Sequence, residues 1–171
     1  MKNIRSSNWL KLFAAAALFV SASCSEIGHD WDKNKGYDTD DLYEITYGAF
    51  AEHLFYNSNL ADGSPGALPK GIVVKDGTKT YISKSIAATI TTLTLAQPLV
   101  GEGKPSGKIT SLNGIELFTE LEALDITGNS ITGTLDLTKI TALRTLAMNG
   151  NLVSELMLPP SVRVLEYSAA Q

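Results

Sequence analysis

Leu121-Glu122-Ala123-Leu124-Asp125-Ile126-Thr127-Gly128-Asn129 is answered by Leu143-Arg144-Thr145-Leu146-Ala147-Met148-Asn149-Gly150-Asn151. The apolar positions, the glycine and the asparagine all return after 22 residues. A third, shorter copy follows, in which Leu165 and Tyr167 stand where Leu146 and Met148 stood, 19 residues earlier. Self-similarity at a fixed period of this size signals one small structural unit stacked on copies of itself. Within each unit Leu124 and Ile126, or Leu146 and Met148, alternate with residues that are mostly polar, as in a half-buried strand. The asparagine after each strand sits at a turn. Its amide has two donors and an acceptor, so it can bond the backbone of the adjacent units. Asn129 and Asn151 are therefore read as a structural ladder.

Outward from these units the chain is more varied. Thr92 to Ala96 alternates polar and apolar residues and supplies a strand ahead of the first full unit, with the loop from Gly101 to Lys108 as an insertion. Ala49 to Tyr56 starts after Gly48, places Phe50 and Leu54 four apart, and predicts a short amphipathic helix. Asn57 to Lys70 is rich in Asn, Gly, Pro and Ser and reads as a loop, while Ser83 can cap a short helix from Lys84 to Thr89.

The spacing L-x-x-L-x-L-x-x-N resembles that of leucine-rich repeats, and the span from Ala49 to Gln171 resembles bacterial repeat proteins of the internalin-like type. The resemblance implies an α+β fold: a short leucine-rich-repeat solenoid with a parallel sheet of about four strands and a small N-terminal helical cap. It also implies that the outward sheet face is the recognition surface. The residues there are Thr92, Thr94, Asp125, Thr127, Thr145, Asn149, Glu166 and Ser168, interleaved with Ala96, Ala123, Ala147 and Val164. The caps of that family often carry a calcium loop. The matching stretch here, Lys75 to Ile86, has Lys75, Gly77 and Lys79 at positions that need Asp and Ile86 where a bidentate acid belongs, so no metal is expected.

The amino end has a separate logic. Lys2, Arg5 and Lys11 are basic, Leu12 to Val20 is apolar, and Ser21, Ala22 and Ser23 are small, the order of an export signal. The apolar run falls short of the roughly 20 residues of a membrane span. Cys24 is the sole cysteine. The run Val20-Ser21-Ala22-Ser23-Cys24 resembles the lipobox of bacterial lipoproteins, which implies cleavage before Cys24, a diacylglycerol thioether on its sulfur and usually an acyl chain on its amine. Each buried methylene adds about 0.8 kcal/mol, so two or three chains hold firmly. Ser25, rather than Asp, follows the cysteine, which by the same resemblance implies the outer membrane. Ser25 to Asp41 is polar and acidic and reads as a solvated tether. The expected organisation is a signal peptide over 1–23, a lipidated cysteine and tether over 24–41, a cap over 42–91 and repeats over 92–171.

Charge and motif spacing exclude several functions. The whole chain carries a formal charge of −4, and loss of the three basic residues of the leader would leave 11 basic against 18 acidic residues. That balance argues against nucleic acid and anionic headgroups as partners. Asp30, Asp32, Asn34, Asp38 and Asp41 look like a calcium loop, but Gly36 falls one residue late and no helix precedes them, so a solvated tether is expected. His29 and His53 lack ligand spacing and read as surface or packing residues. Neither a G-x-S-x-G elbow nor a phosphate loop occurs, since Pro105 follows Gly103-Lys104. No catalytic residue, no cofactor and no metal are expected.

The functional expectation is thus a cell-surface lipoprotein acting as a non-catalytic binding or adhesion module for a protein or glycan. Two alternatives stay open: a structural or assembly lipoprotein of the outer membrane, and a shortened relic of a longer repeat protein. The third unit stops at Gln171 with Ala170 in place of the ladder asparagine, so self-association through this end is also expected.

Overall fold

The computed structural model describes residues 31–32, 37–97, 104–105 and 107–168. The expected signal peptide, Cys24, His29, Asp30, most of the tether, Gly101 to Gly103 and Ala170 lie outside the described residues. The chain divides into two units, Met1–Leu42 and Tyr43–Gln171. In the first, β1 (Trp31–Asp32) pairs antiparallel with β2 (Tyr37–Asp38). A 3-10 turn over Thr39–Asp41 follows, capped by the Asp38 carboxylate, which accepts from the Asp40 amide at 2.9 Å.

A small sheet follows in the order β3 (Leu42–Ile45), β5 (Lys79–Ser83), β4 (Val73–Asp76), with β4 and β5 antiparallel. Strands β4 and β5 form a hairpin with Asp76 opposite Lys79, so Gly77 and Thr78 make the whole turn. Gly77 takes φ +58° and Thr78 stays at negative φ, the combination of a type II′ turn, whose twist suits a hairpin. Helix α1 (Ala49–Ser58) buries Phe50, Ala51 and Leu54. Its last turn is closed by Ser58 Oγ and Asn59 Nδ2, which both donate to the Phe55 carbonyl, at 2.8 and 2.7 Å. Helix α2 (Lys84–Ala87) is a single turn capped by Ser83 Oγ, which accepts from the Ile86 amide at 3.3 Å.

The repeated stretch forms two parallel sheets. Strands β6 (Thr92–Thr94), β7 (Ala123–Asp125), β9 (Thr145–Ala147) and β11 (Val164–Glu166) make one, in the order β11-β9-β7-β6. Their register aligns Leu93, Leu124, Leu146 and Leu165 side by side. The second pairs β8 (Thr132–Asp136) with β10 (Leu152–Met157), with a bulge between Val153 and Glu155. Between them lies one continuous apolar core. Leu93, Leu124 and Leu146 are at most 1% exposed, and Ile126, Leu137, Ile140 and Phe118 are buried beside them. The Phe118 ring meets Phe50 of α1 at 6.5 Å, so this core is continuous with that of the antiparallel part.

These findings correct the expected fold class. The chain is not an α+β leucine-rich-repeat solenoid with a single parallel sheet behind a helical cap. Among the described residues it is a mixed-sheet protein, with two antiparallel sheets, two parallel sheets and few helices. Two physical reasons account for the difference. The segment read as a degenerate calcium loop is a hairpin, because Val73, Tyr81 and Ile82 favour extended backbone and Gly77-Thr78 turns the chain. The segments that return from one unit to the next run extended as β8 and β10, because Thr132, Thr134 and Val153 are β-branched and Leu135 packs inward.

Gly128 and Gly133 share a left-handed backbone, at φ +77° and +71°. A methyl on Gly133 meets nothing, whereas one on Gly128 runs into the Gln97 carbonyl. We expect Gly133→Ala to cost about 1 kcal/mol, from the backbone alone, and Gly128→Ala clearly more. Leu124→Ala and Leu146→Ala should each cost about 2–5 kcal/mol. Chemical denaturation of the four variants checks this; equal costs at the two glycines would refute the close approach.

Candidate functional site

The expected recognition residues fall in rows across the four-stranded parallel sheet. Thr92, Ala123, Thr145 and Val164 are mutual neighbours, and so are Thr94, Asp125, Ala147 and Glu166. A third row follows where the strands end. The Thr127 carbonyl accepts from the Gln97 amide, that of Asn149 from Gly128, and that of Ser168 from Gly150, at 2.7 to 2.8 Å. Thr92, Thr94, Glu166 and Ser168 are exposed, and Asp125, Thr127, Thr145 and Asn149 are half-buried. The Asp125 carboxylate accepts from the Thr127 amide at 2.9 Å, which fixes its side chain at the turn. The face offers hydroxyls, an amide and two carboxylates, with Ala123 and Ala147 leaving the middle low. Val164, 47% exposed, is its one sizeable apolar residue.

The ladder beneath is satisfied on every side. Asn129 Nδ2 donates to the carbonyls of Leu95 and Ile126 at 2.8 and 2.9 Å, and its Oδ1 accepts from the Ile109 amide at 2.9 Å. Asn151 Nδ2 donates to Ile126 and Met148, both at 2.9 Å, and its Oδ1 accepts from Ile131 at 3.1 Å. Both side chains are buried.

The two edges of the sheet differ. Along β6 the residues alternate in the side they present to β7, so the Thr94 carbonyl points outward; there Asn57 of α1 donates to it at 3.2 Å. Along β11 the backbone groups of Val164, Glu166 and Ser168 are those turned toward the preceding strand. Leu165 and Tyr167 face away and have no backbone partner among the described residues, and their side chains are 46% and 48% exposed.

His53, read as a surface or packing residue, is fully buried on α1. The Gln97 amide reaches its Nε2 at 2.7 Å, the Gly107 carbonyl lies 3.2 Å from the same nitrogen, and Nδ1 has no partner among the described residues. Burial lowers the imidazole pKa, and the Gly107 carbonyl opposes this only in part. The ring is thus held neutral.

One exposed cluster escaped the sequence reading. Lys75 places its ammonium 4.6 Å from the Tyr47 ring and 4.7 Å from the Phe55 ring. Both rings are largely open to solvent, at 49% and 43%. No spacing rule links Tyr47, Phe55 and Lys75, which come together through the packing of α1 on β4. Among the described residues no three His, Cys, Asp or Glu side chains are grouped to hold a metal, and no helix is long and apolar enough to cross a membrane. No family model, curated protein or solved structure matches the chain.

His53 makes stability depend on pH. In the unfolded chain histidine titrates near pH 6.5, above its folded pKa. Its contribution is complete above about pH 6.5 and is lost as the pH falls toward the folded value, because only the unfolded state takes up the proton in that window. Tm should therefore fall on acidification from pH 7.5 to 5, and His53→Gln should flatten the fall. An unchanged slope in the variant would show that other groups set it.

Proposed function

We propose that the chain is a lipoprotein of the outer membrane, held at the cell surface through Cys24, whose folded part is a non-catalytic module that binds a protein or glycan ligand. The observation that carries the binding role is the sheet face. Short polar side chains stand in rows on strands whose turns are locked by buried asparagines, so the surface is ordered before any ligand arrives. The anchor rests on the basic, apolar and small-residue order that ends at Cys24. The acidic excess fits a ligand other than nucleic acid.

Cells fed an alkyne analogue of palmitate should label the wild-type chain and leave Cys24→Ser unlabelled. Equal labelling of the two would remove the anchor from this reading.

The alternative of an assembly role has one observation in its favour, the open edge at β11. A second copy could add its own β11 there and cover Leu165 and Tyr167. Light scattering should then show mass rising with concentration in the wild type and a monomer in Leu165→Lys. A wild type that stays monomeric at high concentration would leave the binding module as the sole reading.

A further inference from the structure

We infer that the surface around Tyr47 is a carbohydrate site for neutral saccharides, separate from the sheet face and independent of any role assigned to it. Two open depressions meet at this residue. One, of about 640 Å³, runs over Thr46, Tyr47, Gly48, Ala49, Thr110, Ser111 and Asn113, with Phe50 at its floor. The other, of about 680 Å³, is lined by Glu44, Thr46, Tyr47, Thr78, Lys79, Thr80 and Asn113. Both volumes fall in the range of small-molecule sites. They share Thr46, Tyr47 and Asn113, so an elongated ligand can cross from one to the other over the tyrosine.

The chemistry of the lining selects a sugar. A pyranose has one face of C–H bonds and a rim of hydroxyls. The C–H face is weakly positive and settles on the negative face of an aromatic ring, and the rim needs partners that both donate and accept. Tyr47 supplies the ring. Its orientation is set by Lys75, whose ammonium lies 4.6 Å from the centroid and donates to the phenol oxygen at 3.5 Å. A ring held in place loses little rotational freedom on stacking. The rim partners are the hydroxyls of Thr46, Thr110, Ser111 and Thr78 and the Asn113 amide. All five residues are exposed, and none has a side-chain hydrogen bond within the described residues.

Charge narrows the class. The first depression has no ionisable side chain except the tyrosine itself. In the second, Glu44 and Lys79 neutralise each other through an ion pair of 2.8 Å. The lining holds no cation outside that ion pair, and the nearby Lys75 ammonium is turned onto the Tyr47 and Phe55 rings, so a phosphate or uronate gains little there. An uncharged hexose chain meets aromatic surface, hydroxyls and amide, and a chain of several residues gains over a monosaccharide by using both depressions.

The test is calorimetric titration of the full chain, kept in a detergent without a sugar headgroup. The probes are neutral hexasaccharides: an α-1,4-glucan, a β-1,4-glucan, a β-1,3-glucan and a β-1,4-mannan. At least one should bind saturably, and its disaccharide more weakly. Tyr47→Ala should weaken binding by roughly tenfold or more, while Tyr47→Phe, which keeps the ring, should stay within about threefold. Asn113→Ala should also weaken it. Tyr47 lies on the surface, so an unchanged thermal transition in Tyr47→Ala separates loss of the site from loss of the fold. Failure of all four hexasaccharides, or binding that survives Tyr47→Ala, would overturn the proposal. Loss of binding on Thr94→Ala and Glu166→Ala instead would move the sugar to the sheet face and overturn it equally.

Discussion

The side-chain amides of Asn129 and Asn151 make the hydrogen bonds that strands of three residues cannot make for themselves. Each strand of the parallel sheet ends abruptly, and the carbonyls of Leu95, Ile126 and Met148 would be left in the core without partners. A buried carbonyl without a partner costs about 1–3 kcal/mol. Two amides serve all three, with Ile126 accepting from both. Their oxygens at the same time hold the backbone where it enters the next segment, at Ile109 and Ile131. The spacing between strands, the inward aim of the leucines and the flatness of the polar face all depend on these two turns. The glycine before each asparagine lets neighbouring turns approach, and at Gly128 the Gln97 carbonyl occupies the space that a side chain would need.

How far the sequence could be read follows from how local each signal was. The 22-residue recurrence carried the register, because a shift by one residue would turn Leu124 and Leu146 out of the core. Phe50 and Leu54 carried α1 because both lie on its buried side. The fold class was misread where two patterns competed. Lys75 to Ile86 was weighed against a metal loop, so the Gly77-Thr78 turn between the two strands went unread. The segment after Asn129 alternates only weakly, with Gly133 in its middle, and its extended form depends on pairing with β10 far along the chain. The outward rows of the parallel sheet were legible in advance, since they are the complement of the buried leucines. The Tyr47 surface was not, because it draws on β3, on the turn after β4 and on the loop beyond Lys108, which only the tertiary fold brings together.

The two surfaces differ in character. The sheet face is broad, low and rigid, with carboxylates at Asp125 and Glu166 and little apolar area, which suits a partner met over many weak contacts. The Tyr47 surface is concave, its one carboxylate paired with a lysine, and its aromatic ring lies against the Lys75 ammonium. The two sets of residues do not overlap, so one ligand of each kind could be held at once. His53 lies in the core near β6, where Gln97 links α1 to the end of that strand, away from both surfaces.

The inequality of the two sheet edges also has a consequence for symmetry. Asn57 occupies the outward carbonyl of β6, and among the described residues nothing comparable covers β11. Head-to-tail addition, β11 of one molecule against β6 of the next, would repeat without end and produce a fibre. The Asn57 amide on the Thr94 carbonyl competes with that route. Addition of β11 to β11 across a two-fold axis, antiparallel, would instead consume both open edges and stop at two. If the sheet assembles at all, the side chain of a single buried asparagine in α1 disfavours the open-ended route, and does so from the edge opposite to the one that would meet a neighbour.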